Sequence, residues 1–396
     1  MAFVEKSGKD SWRVRYWRDD GTHGSLSGFR TKKEAQDKAA EIDADKRRGT
    51  FLDPEAGKLL LAEWIVTWFD AIDVAPATLA QYRSLTDNHI IPRWGDTSLN
   101  SISGIAVHAW GKKLRGQGYA ASTVSTIIKL MTMMLADAAD ERLIPVNPIQ
   151  PRRRGRRRHQ PRTEQLWATP EQVVAIAAQA SALVGLWAGL LIVTAAWTGA
   201  RWGELTGLQR PNAHLDDGEI VIDPQIGALH EVNGQLELGP PKTACSARTI
   251  SLPPFLIPPL RAYLGSHDHP HVFVSAEHQL LRRSNFSRRA MRPAADGNLQ
   301  RVRPEVRVQP ILPGLRFHDL RHSHKTWLIA DGIPEVAQSR RLGHRIPDEI
   351  RDVYSHVAAE VETRLLDSLE RRWHEAVATV HEQHGPAITQ PLLLAA

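Results

Sequence analysis

The sequence predicts a multidomain, mainly α-helical protein: a small β-sheet/helix unit at the N-terminus, an all-α middle, and a mixed α+β C-terminal half. Three observations predict it. Residues 12–17 (Trp-Arg-Val-Arg-Tyr-Trp) alternate apolar and charged side chains with a period of two, the pattern of a half-buried strand. Residues 59–139 carry apolar stripes at helical spacing. Short alternating runs return between residues 219 and 252, with helical stretches on either side.

At the N-terminus, alternation puts Trp12, Val14 and Tyr16 on one face of a strand and Arg13 and Arg15 on the other. Asp19-Asp20-Gly21 reads as a hairpin turn. Thr31 then caps a charged helix from Lys32 to about Arg48. Residues 1–57 thus read as a short sheet with one helix, presenting arginines from the sheet face. The plainer alternative is a small packing domain whose arginines are merely solvated.

Residues 58–150 read as four helices. The first, 59–72, is amphipathic with Trp64 and Trp68 four apart. The second covers 77–90 and ends at Pro92, the third covers 104–116, and Ser122 caps a long fourth through Ala139. Pro145 and Pro148 close the unit. The Trp and Met residues here read as core.

Residues 166–375 form the mixed unit. Thr169-Pro170-Glu171 opens a helix, with Pro at its first position. Residues 177–200 carry no charge and are long enough to cross a bilayer. They are rich in Ala, Gly and Thr and no second such span exists, so they read as one buried helix. Residues 219–223, 235–238 and 248–252 read as one small antiparallel sheet, and helix returns from Pro253. Residues 292–312, rich in Pro and Arg, read as a loop, and residues 357–377 as an amphipathic helix. A tail, 376–396, follows with Gly385 and Pro386.

At 396 residues and 42% hydrophobic, the chain can bury several cores. Its single cysteine, Cys245, excludes an internal disulfide and fits a reducing cytosol; the first twenty residues are polar, unlike a signal peptide. The formal charge is +6 with a pI of about 9.5. That excess is local. Seven arginines, Arg152, Arg153, Arg154, Arg156, Arg157, Arg158 and Arg162, lie between Pro151 and Arg162 with no acid among them, and without them the rest of the chain is at −1. Such a tether, here residues 151–165, suits a polyanion such as DNA; the alternative is a solvated Arg run.

The chemistry gathers between Gly314 and His356. His318 and Arg321, three apart, share a helix face. A guanidinium fork suits two non-bridging phosphate oxygens, and an imidazole beside it can hold a third oxygen or move a proton. His344 follows a glycine, and Tyr354 stands ten residues beyond it. A phenol attacks well only where cations stabilise the charge that develops. Each feature alone is commonplace; H-x-x-R recurs widely, and Leu-Gly-His is the usual ending of a helix. Together they suggest phosphoryl transfer onto a tyrosine. Two other histidine groups, His267/His269/His271 and His318/His322/His324, lack an H-E-x-x-H motif or a third-ligand pattern, so no metal is expected.

Gly314-Leu-Arg-Phe-His-Asp-Leu-Arg-His322, Leu342-Gly343-His344 and Tyr354 resemble the C-terminal signature of the tyrosine recombinases, the phage-integrase family. Upstream, Thr198-Gly-Ala-Arg-Trp-Gly-Glu-Leu205 resembles the family's first arginine motif, and Pro240-Pro-Lys-Thr-Ala-Cys-Ser-Ala-Arg-Thr-Ile-Ser-Leu252 its catalytic-lysine hairpin. The resemblance covers roughly residues 60–370. It implies an arm-type DNA-binding domain at 1–57, a helical core-binding domain at 58–150 and a catalytic domain at 166–375.

The resemblance also implies roles. Tyr354 would attack the scissile phosphate and form a 3′-phosphotyrosyl link. Arg201 and Arg321 would clamp the non-bridging oxygens, His318 would hold an oxygen or take the tyrosine proton, and His344 would add a donor. Lys242 would protonate the leaving 5′ oxygen; Lys325, on the His318 helix, is a poorer candidate. Glu204 would orient the cations. No cofactor is implied, and no membrane. The implied partners are duplex attachment sites, three more copies in a tetramer on DNA, and an excision factor or DNA-bending protein, all at the cytoplasmic nucleoid. The other readings weighed are a type IB topoisomerase, a catalytically silent DNA-binding relative, and a metal-dependent nuclease, which would need clustered carboxylates.

Overall fold

The computed structural model describes residues 1–18, 21–150, 165–302, 304–345 and 357–385. The chain divides into two compact units, Met1–His159 and Gln160–Ala396.

The first unit begins with an antiparallel sheet ordered β1 (Phe3–Gly8), β2 (Ser11–Trp17), β3 (His23–Phe29). Val14 sits between Val4 and Leu26, and Tyr16 faces Gly24. Val14 and Tyr16 are fully buried with Ala35, Ala39 and Ile42 of α1 (Lys32–Arg48). Only glycine fits at 24, because a Cβ there would lie 2.2 Å from the Tyr16 ring. Helix α1 starts on the Thr31/Glu34 capping box and stops at Gly49, whose φ of 70° is left-handed. The Tyr16 hydroxyl donates to Asp53, whose other oxygen takes a 2.6 Å bond from Arg18 Nε. This fastens the sheet to the segment that leaves the helix. The turn at Asp19 and Asp20 lies outside the described residues.

A second, separate core in this unit is built by α2 (Leu61–Ala71), α5 (Gly104–Gly116) and α6 (Ala121–Asp140), with α3 (Pro76–Leu85) and α4 (Ile91–Trp94) against them. Trp64 and Trp68 are core as expected. Their indoles donate to Met134 O at 2.8 Å and Asp137 Oδ2 at 2.6 Å, which resolves the cost of burying an N–H. Two expectations are corrected. The second helix does not end before Pro92; helical backbone runs on to Trp94 through a wide π turn at Thr86–Ile90. The wide turn redistributes the carbonyls that a proline cannot bond. Nor does Ser122 cap α6: the cap position is Ala120, with no side-chain bond, and the Ser122 carbonyl accepts from Thr126 Oγ1 inside the helix.

In the second unit, the expected single helix over 177–200 is two: α7 (Pro170–Val184) and α8 (Leu186–Thr198). They break at Gly185, where φ is 112°, a conformation other residues rarely adopt. No described helix is long and apolar enough to cross a membrane. Helix α8 is buried nearly all round, and its Trp197 is the hub of an aromatic cluster with Phe255, Trp327 and Trp373.

The expected three-strand sheet is also corrected. β5 (Glu219–Ile222) pairs directly with β8 (Arg248–Ser251), with the two-residue β4 (Ala213–His214) on its other edge. The strand at 235–239, β7 (Gln235–Gly239), instead pairs with β6 (Ala228–Val232) in a separate hairpin. The hairpin is an excursion between β5 and β8, and local alternation could not tell which strand would find which.

Part of the stretch expected as a loop is helix: α11 (Arg283–Phe286) leads through a second wide turn, Ser287–Met291, into α12 (Arg292–Asp296). Pro293 stands here as Pro92 does in the first case, two residues after the wide turn. α10 (Ile257–Gly265), α13 (Phe317–Ala330) and α14 (Glu335–Leu342) complete the layer around the site. The last helix, α15 (Ala359–His384), runs past the tail boundary expected at 376. Its Leu369, Trp373, Ala376 and Val380 are buried in this unit's own core, and Trp197 Nε1 donates to Leu369 O at 3.0 Å.

Candidate active site

Three helix ends meet at the site. Helix α8 stops at Gly199 (φ 69°), and the chain turns so that Arg201 caps α9 (Trp202–Thr206). Glu204, at the third position of α9, accepts the Arg201 backbone N–H at 3.0 Å and its Nη1 at 2.6 Å. Helix α13 brings Arg321, 5% exposed, which donates to Gly199 O at 2.6 Å and to Leu342 O. So one guanidinium ties the end of α8 to the end of α14. Helix α14 in turn stops at Gly343, with φ 64°. A Cβ there would be strained and would sit 2.9 Å from Cys245 O. His344 follows, its N–H bonded to Ser339 O at 2.9 Å.

Glu204 is the counter-ion of the group. Its second oxygen takes a 3.0 Å bond from Arg248 Nη2. Arg248 also donates to Arg341 O and Ser246 O, each at 2.6 Å, so each of its three nitrogens is engaged. Burial pushes the Glu204 carboxyl up, but Arg248 and Arg201 outweigh it and hold the group below the ordinary carboxylate range. Burial likewise pushes Arg248 down while Glu204 pulls it back, and it stays charged at neutral pH. Arg321 is pushed down to about 9, by burial first and then by Arg201 and Arg248.

The two histidines share this field. Burial, then His322 and Arg321, hold His318 below the usual imidazole range. Desolvation, then Arg321, Lys325, Arg201 and Arg248, push His344 down to about 4, although its exposed side chain lets water temper the effect. Both are neutral at pH 7: His318 can accept a proton, and each can donate one N–H.

Lys242 is exposed, in the turn that follows β7, and not at the tip of the β6–β7 hairpin. Its segment is joined to the site through Ser246, whose Oγ takes a 3.0 Å bond from Arg201 Nη1 and lies 2.9 Å from Thr243 Oγ1. Lys325 pairs with Glu335 at 3.0 Å instead. The structure therefore gathers Arg201, Glu204, His318, Arg321 and His344 and links Lys242's segment to them. Tyr354 and the linker residues Arg152, Arg153, Arg154, Arg156, Arg157 and Arg158 lie outside the described residues. Arg13 and Arg15 sit on the outer face of the N-terminal sheet, 2.9 and 3.9 Å from Glu5.

Sequence reasoning missed two buried cations. Arg248 is on the inward phase of β8 with Ile250, a signal that the alternation of that strand held. Arg341, 5% exposed, donates to Ser251 O, Trp197 O and His324 Nε2 at 3.0, 3.0 and 3.1 Å. Because Arg341 only donates, His324 accepts at Nε2 and donates from Nδ1 to Ala196 O at 2.8 Å. Among the described residues no group of three metal-ligating side chains forms.

The sequence model described as "Phage integrase family" matches residues 167–360. The putative prophage phiRv2 integrase of Mycobacterium tuberculosis is 29% identical over 346 residues, 84% of this chain and 85% of that one. The integrase of Mycobacterium phage L5 is 25% identical over 299 residues, 74% of each chain. Among solved structures, the Tn1549 transposon integrase in complex with a circular intermediate DNA aligns with TM-score 0.60 at 16% identity, over 78% of this chain and 99% of that one. A lambda integrase tetramer bound to a Holliday junction gives 0.52 at 17% identity, over 87% and 96%. The structural likenesses speak for the fold.

Proposed function

We propose that this chain, which belongs to the phage integrase family of tyrosine recombinases, is a site-specific DNA recombinase that integrates or excises a mobile element through a 3′-phosphotyrosyl intermediate. The observation that carries the reading is the cluster of Arg201, Arg321, His318 and His344 from three separate helix ends, organised on one buried carboxylate, Glu204. A phosphorane-like transition state holds more negative charge than the diester, so cations fixed in advance favour it selectively.

In this reading the Tyr354 oxygen forms a bond to phosphorus as the bond from phosphorus to the 5′ oxygen breaks. The phenol proton passes to His318, which is neutral in this site and able to receive it. Arg201 and Arg321 hold the non-bridging oxygens, and His344 donates a further N–H. Lys242 gives its proton to the departing 5′ oxygen. A second 5′-hydroxyl then reverses the step on the tyrosyl phosphate. One phosphoester replaces another, so no nucleotide hydrolysis is required, and side-chain cations supply the charge that a metal supplies in other phosphoryl transfers.

The remaining assignments belong to the same proposal. Residues 1–57 bind arm-type DNA sites through the outer sheet face, where Arg13 and Arg15 stand beside Ser27 and Ser25 on one side and Glu5 on the other. Residues 58–150 and 166–375 grip the crossover site, with the 151–165 arginines on phosphates. Four copies assemble on cytoplasmic nucleoid DNA, with an excision or DNA-bending factor setting direction.

The test begins by selecting a binding duplex from a randomised pool with the purified full chain. The selected duplex is nicked so that the covalent complex accumulates, and the attached peptide is sequenced. Attachment at Tyr354, lost in Tyr354→Phe while DNA affinity is kept, is the expected result. Attachment elsewhere refutes the nucleophile, and relaxation of supercoils without strand exchange points to a topoisomerase.

A further inference from the structure

We propose that His230 is a positioning residue for Lys242, setting where the lysine ammonium meets the leaving oxygen. The inference rests on the reading of Lys242 as general acid.

Residues 239–242 are Gly-Pro-Pro-Lys, and the two prolines have no N–H to give. Ladder pairing ends at Gly239, opposite Ala228. Beyond the packing of the buried Pro241, hydrogen bonds can therefore hold the backbone just before Lys242 only through its carbonyls. His230 Nε2 lies 2.8 Å from Pro240 O. A carbonyl only accepts, so Nε2 carries the proton and donates. Outside the strand ladder, no other hydrogen bond reaches residues 240–242 among the described residues.

The support beneath His230 is close-packed and leads to the phosphate-clamping helix. Its neighbour Leu229 is buried against α9, where two glycines let the backbones touch. A Cβ at Gly203 would lie 2.8 Å from Leu229 O, and one at Gly207 would lie 2.5 Å from Leu229 N. Helix α9 begins on Arg201 and carries Glu204. The far end of the lysine segment is fixed to the same arginine, through Ser246 Oγ. Ser246 N also closes a turn on Thr243 O at 2.9 Å. Lys242 thus sits between two anchors that both refer to Arg201; the upstream one joins the packing of the buried Pro241 to a single hydrogen bond from His230. The ring lies over Gly239, where a Cβ would come within 3.1 Å of Cδ2. Added bulk at 239 therefore presses the imidazole aside by a few tenths of an ångström without touching Lys242.

The experiment measures single-turnover formation of the covalent complex by the full chain on the selected nicked duplex. It uses two versions, one with the ordinary 5′-bridging oxygen and one with sulfur there, which leaves as thiolate without needing a proton. Lys242→Ala should be slow on oxygen by ~10²-fold or more and restored on sulfur. His230→Ala should be about fivefold slow on oxygen, the weight of one hydrogen bond, and normal on sulfur. Gly239→Ala should slow the oxygen substrate in the same sense but by less than His230→Ala, and His230→Gln, which keeps a donor at similar reach, should recover most of the rate. In the His230→Ala/Lys242→Ala double variant, the His230 change should add nothing.

Equal slowing of His230→Ala on oxygen and sulfur would mean that the histidine only supports the fold. That result, or an unchanged rate on oxygen, overturns the proposal while Lys242 keeps its role. Failure of the general-acid reading appears elsewhere, as a Lys242→Ala variant that stays slow on sulfur, and the proposal falls with it.

Discussion

Replacing Glu204 by Gln tests the core of the site, because one carboxylate serves two arginines. Glu204 is 2% exposed, with Oε1 at 2.6 Å from Arg201 Nη1 and Oε2 at 3.0 Å from Arg248 Nη2. The glutamine keeps the volume and one acceptor but removes the charge, leaving the Arg248 side chain, 7% exposed, without its counter-ion. Removing one partner of a buried pair costs ~3–5 kcal/mol. The retained acceptor recovers about 1 kcal/mol of that, so a net loss of about 3 kcal/mol is expected. For a unit of this size each kcal/mol moves Tm by roughly 2–4 °C, giving a fall of about 6–12 °C. Calorimetry on the full chain, with near-UV circular dichroism of the Trp197 cluster to identify the transition, measures it. Adding Arg248→Met to Glu204→Gln should return part of the loss, because the stranded cation goes too; a coupling of ~1–2 kcal/mol is expected. Covalent-complex formation should fall in Glu204→Gln even well below its Tm, since Arg201 loses the oxygen that fixes its guanidinium. A Tm within about 2 °C of the parent, or strictly additive losses in the double variant, would refute this reasoning.

Three further outcomes are expected. Changing the seven linker arginines between 152 and 162 to Ser should weaken DNA binding and flatten its salt dependence, by at most roughly 0.9 in the log–log slope per lost phosphate contact; an unchanged slope makes the run a plain tether. Arg13→Ala with Arg15→Ala should spare cleavage of a short crossover duplex yet sharply reduce recombination between full-length sites, without unfolding the domain, because Val14 and Tyr16 keep the inner face; unimpaired recombination would reduce the sheet to a packing element. Finally, the second unit should lose stability on acidification from about pH 7 toward pH 5. His318, His324 and His344 are all held below their ordinary range, so between those values the unfolded chain binds more protons; stability is full above about 6.5 and declines as pH falls, and a flat Tm across that window would contradict it.

Much of this protein was legible in the sequence because much of it is local. The capping boxes at Thr31 and Thr169, the left-handed stop at Gly343 and the placing of His318 and Arg321 one helical turn apart each depend on fewer than about five consecutive residues. So does the inner face of β2, and with it the placing of Arg13 and Arg15 on the other side.

What the tertiary structure decided is what depends on partners distant along the chain. Strand alternation at 219–222, 235–239 and 248–251 is the same whichever strands pair, and only packing selected β5 with β8 and left β6–β7 as a hairpin against Gly203 and Gly207. An arginine in a strand reads as surface until its counter-ion is known, and Glu204 lies 44 residues before Arg248. Arg341 is buried because carbonyls at 197 and 251 accept its donors, and no window around residue 341 contains them. Gly185 and the wide turns before Pro92 and Pro293 follow the same logic. Local propensity permits a break at each, and the packing around them decides whether the helix stops, bends or continues.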